Sequence, residues 1–92
     1  MRFDSPEADL IFTALGNKTR RRILQRLSQK PARSISELAR AFGISNTAAS
    51  NQIKILEQAE LVIRSQRGKY NHVILAPERT LEILLAIASQ FS

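Results

Sequence analysis

The sequence predicts a mainly α-helical fold with one small β-hairpin, and three observations carry that expectation. Capping residues (Ser5, Asn17, Ser34 and Ser45) stand directly before stretches with helical apolar periodicity. Two extended runs, 62–67 and 70–76, flank an Arg67-Gly68-Lys69 tip. A three-residue turn, Gly43-Ile44-Ser45, separates two helical stretches. With 92 residues the chain has enough apolar side chains for one core, so 1–92 reads as a single domain.

The elements follow in order. Ser5-Pro6-Glu7 sets an N-cap, a proline at the first helical position and an acid in the first turn, which opens α1 (6–15). Gly16 is expected to end it in a left-handed conformation. Asn17 caps α2, which runs to about Ser28 before the Lys30-Pro31 step. Ser34-Ile35-Ser36-Glu37 fits a capping box and opens the short α3, with Leu38, Ala39 and Phe42 on one side. Gly43 breaks it, Ile44 is expected as a buried hydrophobe beneath the turn, and Ser45 caps α4 (46–59). The hairpin follows, and Pro77 opens α5 (77–91). The order α1-α2-α3-α4-β-β-α5, with α3 and α4 about a tight turn, is that of a winged helix-turn-helix.

Charge points to a partner. The formal net charge is +6, and eight of the basic residues lie between Lys18 and Arg40 against one acid, Glu37. Such segregation suits a polyanion, because phosphates bound to it release counterions. Arg20 and Arg21, inside this cluster, are placed with the DNA-contacting residues. Zero cysteines and a single histidine leave too few ligands for a metal site, so no metal or other cofactor is expected. No nucleophile–base pair or glycine-rich phosphate loop is present, which argues against an enzyme. Without a membrane-length apolar run or an export signal, a cytoplasmic location is expected.

On α4, Ala48, Ala49, Ile53, Ile55, Leu56 and Ala59 fill one side at about 100° per residue. The opposite side holds Asn46, Thr47, Ser50, Asn51 and Lys54, with no acid in its first two turns. Short amides and hydroxyls of this kind read base edges and phosphates, and a bidentate Asn–adenine pair gives roughly 1–3 kcal/mol of discrimination. An ordinary solvent face would hold more Lys and Glu, which are better helix formers. Gln52 points nearer the apolar side. Arg67 and Lys69 at the hairpin tip are expected on the DNA backbone or in the minor groove.

The terminal helices have more apolar surface than one core covers. On α1, Ala8, Ile11, Phe12 and Leu15 form one stripe, with Leu10 and Ala14 behind it. On α5, Leu81, Leu84, Leu85 and Ala88 form one stripe, while Ile83, Ile87 and Phe91 form another. Leu10, Ala14, Ile83, Ile87 and Phe91 are therefore expected at the interface of a homodimer. A twofold pair would present two recognition helices to an inverted-repeat operator in double-stranded DNA.

The chain also resembles the ArsR/SmtB-type family of bacterial and archaeal winged-helix regulators from Ile11 to about Leu75. The stretches that carry the likeness are FTALGNKTRRRIL, SISELARAFGIS, SNTAASNQIKILEQAELV and RGKYNHVIL. The resemblance implies that Ser50 is the recognition-helix serine, that Asn46, Thr47 and Asn51 are its DNA-reading neighbours, and that Arg67 and Lys69 form the wing tip. Four positions depart from the family pattern. Ala39 and Ala41 stand where the metal sensors have cysteines, which implies a metal-independent branch. Asn51 replaces a basic residue. Glu60 replaces a common glycine, and if that position is left-handed a side chain there costs about 1–2 kcal/mol. A repressor is the leading expectation. The alternative is a winged helix used for protein–protein assembly.

Overall fold

The computed structural model describes residues 2–30, 33–68 and 70–89, with backbone alone at Arg67, Tyr70 and Asn71. Its elements are α1 (Pro6–Leu15), α2 (Lys18–Gln29), β1 (Arg33–Ser34), α3 (Ile35–Phe42), α4 (Asn46–Gln58), β2 (Val62–Arg67), β3 (Tyr70–Leu75) and α5 (Pro77–Ser89). The four expected caps are formed. Ser5 accepts from the Ala8 amide, Asn17 from Arg20, Ser34 from Glu37 and Ser45 from Ala48, at 3.0–3.1 Å. Each cap satisfies one of the amides that a helix start leaves without an internal partner. The Glu37 carboxylate pairs with Arg33 at 3.3 Å.

One strand was not expected. β1 adds to the hairpin to make a three-stranded antiparallel sheet in the order β1-β3-β2, with Arg33 opposite Val73 and Ser34 opposite His72. In the hairpin, Arg67 pairs with Tyr70 around the left-handed Gly68. Two residues are too few to show a strand's alternation in sequence, so β1 exists only because β3 offers it an edge.

Both ends of the helix-turn-helix close by the same device. After α3, Gly43 takes φ 64°, its amide bonds the Arg40 carbonyl and the Ile44 amide reaches Ala39. After α4, Glu60 takes φ 59°, its amide bonds Glu57 and the Leu61 amide reaches Leu56. Both are Schellman closures, and the second sets Leu61 and Leu56 together in the core. The left-handed position in the α4–β2 turn is thus occupied by a glutamate. Ile44 is half-buried rather than buried.

α1 ends differently from expectation. Gly16 is right-handed (φ −74°), so no left-handed closure forms. Its place is taken by two arginines from the next helix. Arg20 donates from Nε to the Ala14 carbonyl and from a terminal nitrogen to Thr13, while Arg21 donates to Leu15, at 2.7–2.9 Å. Cations at the negative end of a helix are favourable as well as bonded.

The core joins α1, α2, α3, α4 and the sheet through the fully buried Ile11, Ile23, Leu27, Leu38, Ile53, Leu56 and Val73. It corrects the reading of both terminal helices. Ala14 and Ile83, expected at a dimer interface, are buried in the protomer's own core. On α1 the inward arc centres on Ile11 and extends to Ala14, whose small side chain permits close packing. Phe12 is left at the edge, where it meets Phe3 edge-on with ring centroids 5.7 Å apart. On α5 the inward side runs through Arg79 and Ile83, which leaves Leu81, Leu84 and Leu85 about 60% exposed (58%, 59% and 62%). A largely covered arginine within the inner stripe concealed it from an apolar count. Phe91 lies outside the described residues.

Arg79 is the polar anchor of this corner. Its guanidinium contacts Glu7 of α1, Glu60 of the α4–β2 turn and Glu82 of its own helix, and the side chain is only 11% exposed.

Candidate nucleic-acid interface

The polar side of α4 faces solvent. Asn46, Thr47, Asn51 and Lys54 are exposed and Ser50 is half-buried, while Ala49, Ile53 and Leu56 on the other side are buried. The helix therefore divides by face as its periodicity predicts, since a 3.6-residue repeat puts positions 49, 53 and 56 on one stripe. Asn46, Thr47, Ser50 and Asn51 line an open concavity of ≈ 420 Å³ together with Ile35 and Ser36 of α3 and Arg64 of β2. Three elements thus meet around the start of α4.

Arg64 bridges two of them. It donates to the Glu57 carboxylate at 2.8 Å, tying the first wing strand to α4. Its Nε is buried and has no partner among the described residues. Arg64, its charge shared with Glu57, stands at the rim of the concavity beside uncharged amides and hydroxyls. The place of Arg64 beside Asn51 depends on strand register, which sequence spacing alone does not give. Ser36, a hydroxyl in the first turn of α3, had no sequence signal beyond its polarity.

Other expected contacts fall differently. Arg20 is withdrawn from the DNA-contacting set. Besides its two carbonyl bonds, its remaining terminal nitrogen donates to Gln52 Oε1 at 2.9 Å. All three guanidinium nitrogens are engaged inside the protomer, so Arg20 is read as positioning α4, with fewer donors left for a phosphate than Arg21 has. The same bond settles Gln52, which turns inward to receive it. Arg21 stays exposed and spends one terminal nitrogen on Leu15, so donors remain for an anion. Lys69 and the Arg67 side chain lie outside the described residues, and the wing is defined here by its backbone. No group of three or more potential metal ligands occurs among the described residues, and none of their helices is long and apolar enough to cross a membrane.

Known proteins share this arrangement. The helix-turn-helix domain family matches residues 15–64. Over 82 residues the chain is 34% identical to an uncharacterized HTH-type transcriptional regulator of Bacillus subtilis, YuzN, covering 83% of this chain and 89% of that one. Over 60 residues it is 41% identical to the HTH-type transcriptional regulator Rv2034 of Mycobacterium tuberculosis, covering 65% of this chain and 55% of that protein. Among solved structures, an ArsR family transcriptional regulator superposes with a TM-score of 0.79 at 30% identity, covering 91% and 86% of the two chains. A homodimeric winged helix-turn-helix DNA-binding domain from Mycobacterium bovis gives 0.75 at 25% identity, covering 98% and 91%. The chain belongs to the helix-turn-helix transcriptional regulators of the ArsR family.

Proposed function

We propose that this protein binds double-stranded DNA as a homodimer and represses transcription by covering promoter sequence, without a metal or other cofactor. The observation that carries the reading is the free side of α4. Asn46, Thr47 and Asn51 are exposed at the mouth of a concavity rimmed by Arg64, where a major groove would bring base edges. Ser50 and Lys54 extend that side along the helix, Arg21 adds a cation near the end of α1, and Arg67 with Lys69 would reach the backbone from the wing.

Dimerisation is supported by the exposed apolar residues of the terminal helices. Leu10 and Phe12 on α1, with Leu81, Leu84, Leu85 and Ile87 on α5, are between 37% and 62% exposed. Burial of such side chains contributes roughly 25 cal/mol per Å², and isologous pairing covers the same patch on both copies. The Mycobacterium bovis neighbour is described as homodimeric. Of the interface residues expected from sequence, Leu10 and Ile87 are exposed, and Phe91 stays in the proposal as an expectation. Two recognition helices related by a twofold axis fit an inverted repeat.

The test is selection of binding duplexes from random sequence, followed by anisotropy titration in a salt series. An inverted-repeat consensus should emerge, with log K falling linearly in log[salt] at about 0.9 per phosphate neutralised. Asn46→Ala and Ser50→Ala should reduce preference for that consensus more than they reduce binding to random DNA. Equal losses on both would refute base reading by α4. A partner interaction indifferent to salt, with no selected duplex, would favour the protein–protein assembly reading.

A further inference from the structure

The cationic residues of α2, β1 and α3 are not all consumed by the fold. Arg20 is, and Arg33 is paired with Glu37. Arg26 and Arg40 are exposed and have no acidic partner among the described residues. They line one concavity of ≈ 220 Å³ with the Arg33–Glu37 pair and Ala41, so three cations surround one carboxylate. Arg26 continues into a second concavity with Arg22, Gln25, Gln29 and Phe42. There the Arg22 guanidinium lies 5.4 Å from the Phe42 ring centroid, a cation–π contact that holds it in place.

The position of this strip matters more than its charge. Ser36 lines the recognition concavity, and Arg40 stands one helical turn further along α3, about 6 Å at 1.5 Å per residue. That distance is within a Debye length of about 8–10 Å at physiological ionic strength. Arg40 thus stands one turn of α3 from the groove residue Ser36, and Arg26 brings α2 to the same cationic strip. Three cations around one carboxylate leave an excess of positive charge, which favours an anion over the strip.

We infer that Arg26 and Arg40, with Arg22 beside them, are a phosphate track that holds duplex flanking the half-site read by α4. The inference rests on the DNA-binding reading and adds to it a footprint longer than the sequence that α4 and the wing recognise. The partner is the sugar-phosphate backbone, so the contact is indifferent to base sequence.

The experiment uses the duplex selected above in two lengths, one cut at the half-site edges and one with a further helical turn, about 10 bp, on each side. The wild type should bind the longer duplex more tightly and with a steeper salt slope. Arg26→Ala/Arg40→Ala should lose that gain, its slope on long DNA falling by about 0.9 for each phosphate released. Its binding to the short duplex and its base preference should match the wild type. Arg26→Lys/Arg40→Lys should keep the gain, because the track needs charge rather than a fork. Equal gains on lengthening for the wild type and the alanine variant would overturn the track and leave the recognition-helix reading standing. A wild type that binds neither length would sink both.

Discussion

Arg20 and Gln52 are joined by a 2.9 Å hydrogen bond across 32 residues of sequence, and the same guanidinium closes the end of α1 through the Ala14 and Thr13 carbonyls. One side chain thus sets three helices relative to one another. Gln52 lies between the groove residues Asn51 and the buried Ile53, so the angle at which α4 presents its polar face depends on this bond.

Arg20→Ala should destabilise the fold by about 1–3 kcal/mol, the range for leaving part-buried polar groups without partners. Arg20→Lys should recover little of it, since a single ammonium does not reproduce three donors in a planar fork. Chemical denaturation checks both. In DNA titrations either change should weaken selected and random duplexes together, unlike Asn46→Ala. A selective loss at Arg20 would show that it touches bases after all.

Glu60 holds a left-handed conformation that costs a side chain about 1 kcal/mol or more, and its carboxylate is 73% exposed where it meets Arg79. An ion pair that open contributes roughly 0–1 kcal/mol. Glu60→Gly is therefore expected to stabilise the protein by about 0.5–1 kcal/mol, the relief of strain exceeding the lost pair. Glu60→Ala keeps the strain and loses the pair, so it should be neutral or slightly destabilising. Thermal melts of the two variants side by side decide the point. A destabilised glycine variant would mean that the Arg79 contact dominates.

Arg79 itself is nearly buried among Glu7, Glu60 and Glu82. Burial alone would lower its guanidinium, but the hydrogen bond with Glu7 and the charges of Glu7, Glu82 and Glu60 outweigh that and hold it above its ordinary value. A raised cation stabilises the fold fully below the unfolded value, and the effect is lost only as pH rises through the folded one. Its contribution should thus be constant through neutral and mildly alkaline pH. Arg79→Ala leaves three carboxylates facing one another and should cost about 2–4 kcal/mol, somewhat less than a fully buried pair. The difference between wild type and variant, measured by denaturation at pH 7 and pH 9, should be the same. A difference that shrinks between these values would place the effect on another group.

The two stripes of α5 should respond differently. Leu85→Glu, at a site 62% exposed, should leave the protomer folded and shift sedimentation from dimer to monomer. Ile83→Ala removes a core side chain and should cost about 2–4 kcal/mol without weakening association between folded protomers. Analytical ultracentrifugation with parallel denaturation curves separates the outcomes. A wild type that sediments as a monomer would remove the dimer from the proposed function.

Much of this protein was determined locally. Ser5, Asn17, Ser34 and Ser45 begin their helices because a short side-chain oxygen reaches an amide three residues on, and Gly43 turns because it lacks a Cβ; both are properties of adjacent residues. The division of α4 into a buried and a free face follows equally from spacing. What only the tertiary structure decided are bonds between distant residues. β1 requires the edge of β3, Arg20 requires the carbonyl end of α1 and the amide of Gln52, and Glu60 is held left-handed where Leu61 and Leu56 enter the core. The inward stripe of α5 carries a charge, since Arg79 has acids waiting on two other elements. Periodicity counts apolar residues along one chain segment, whereas an arginine's partners are assembled from elsewhere. Its burial is therefore settled by packing rather than by its own neighbourhood.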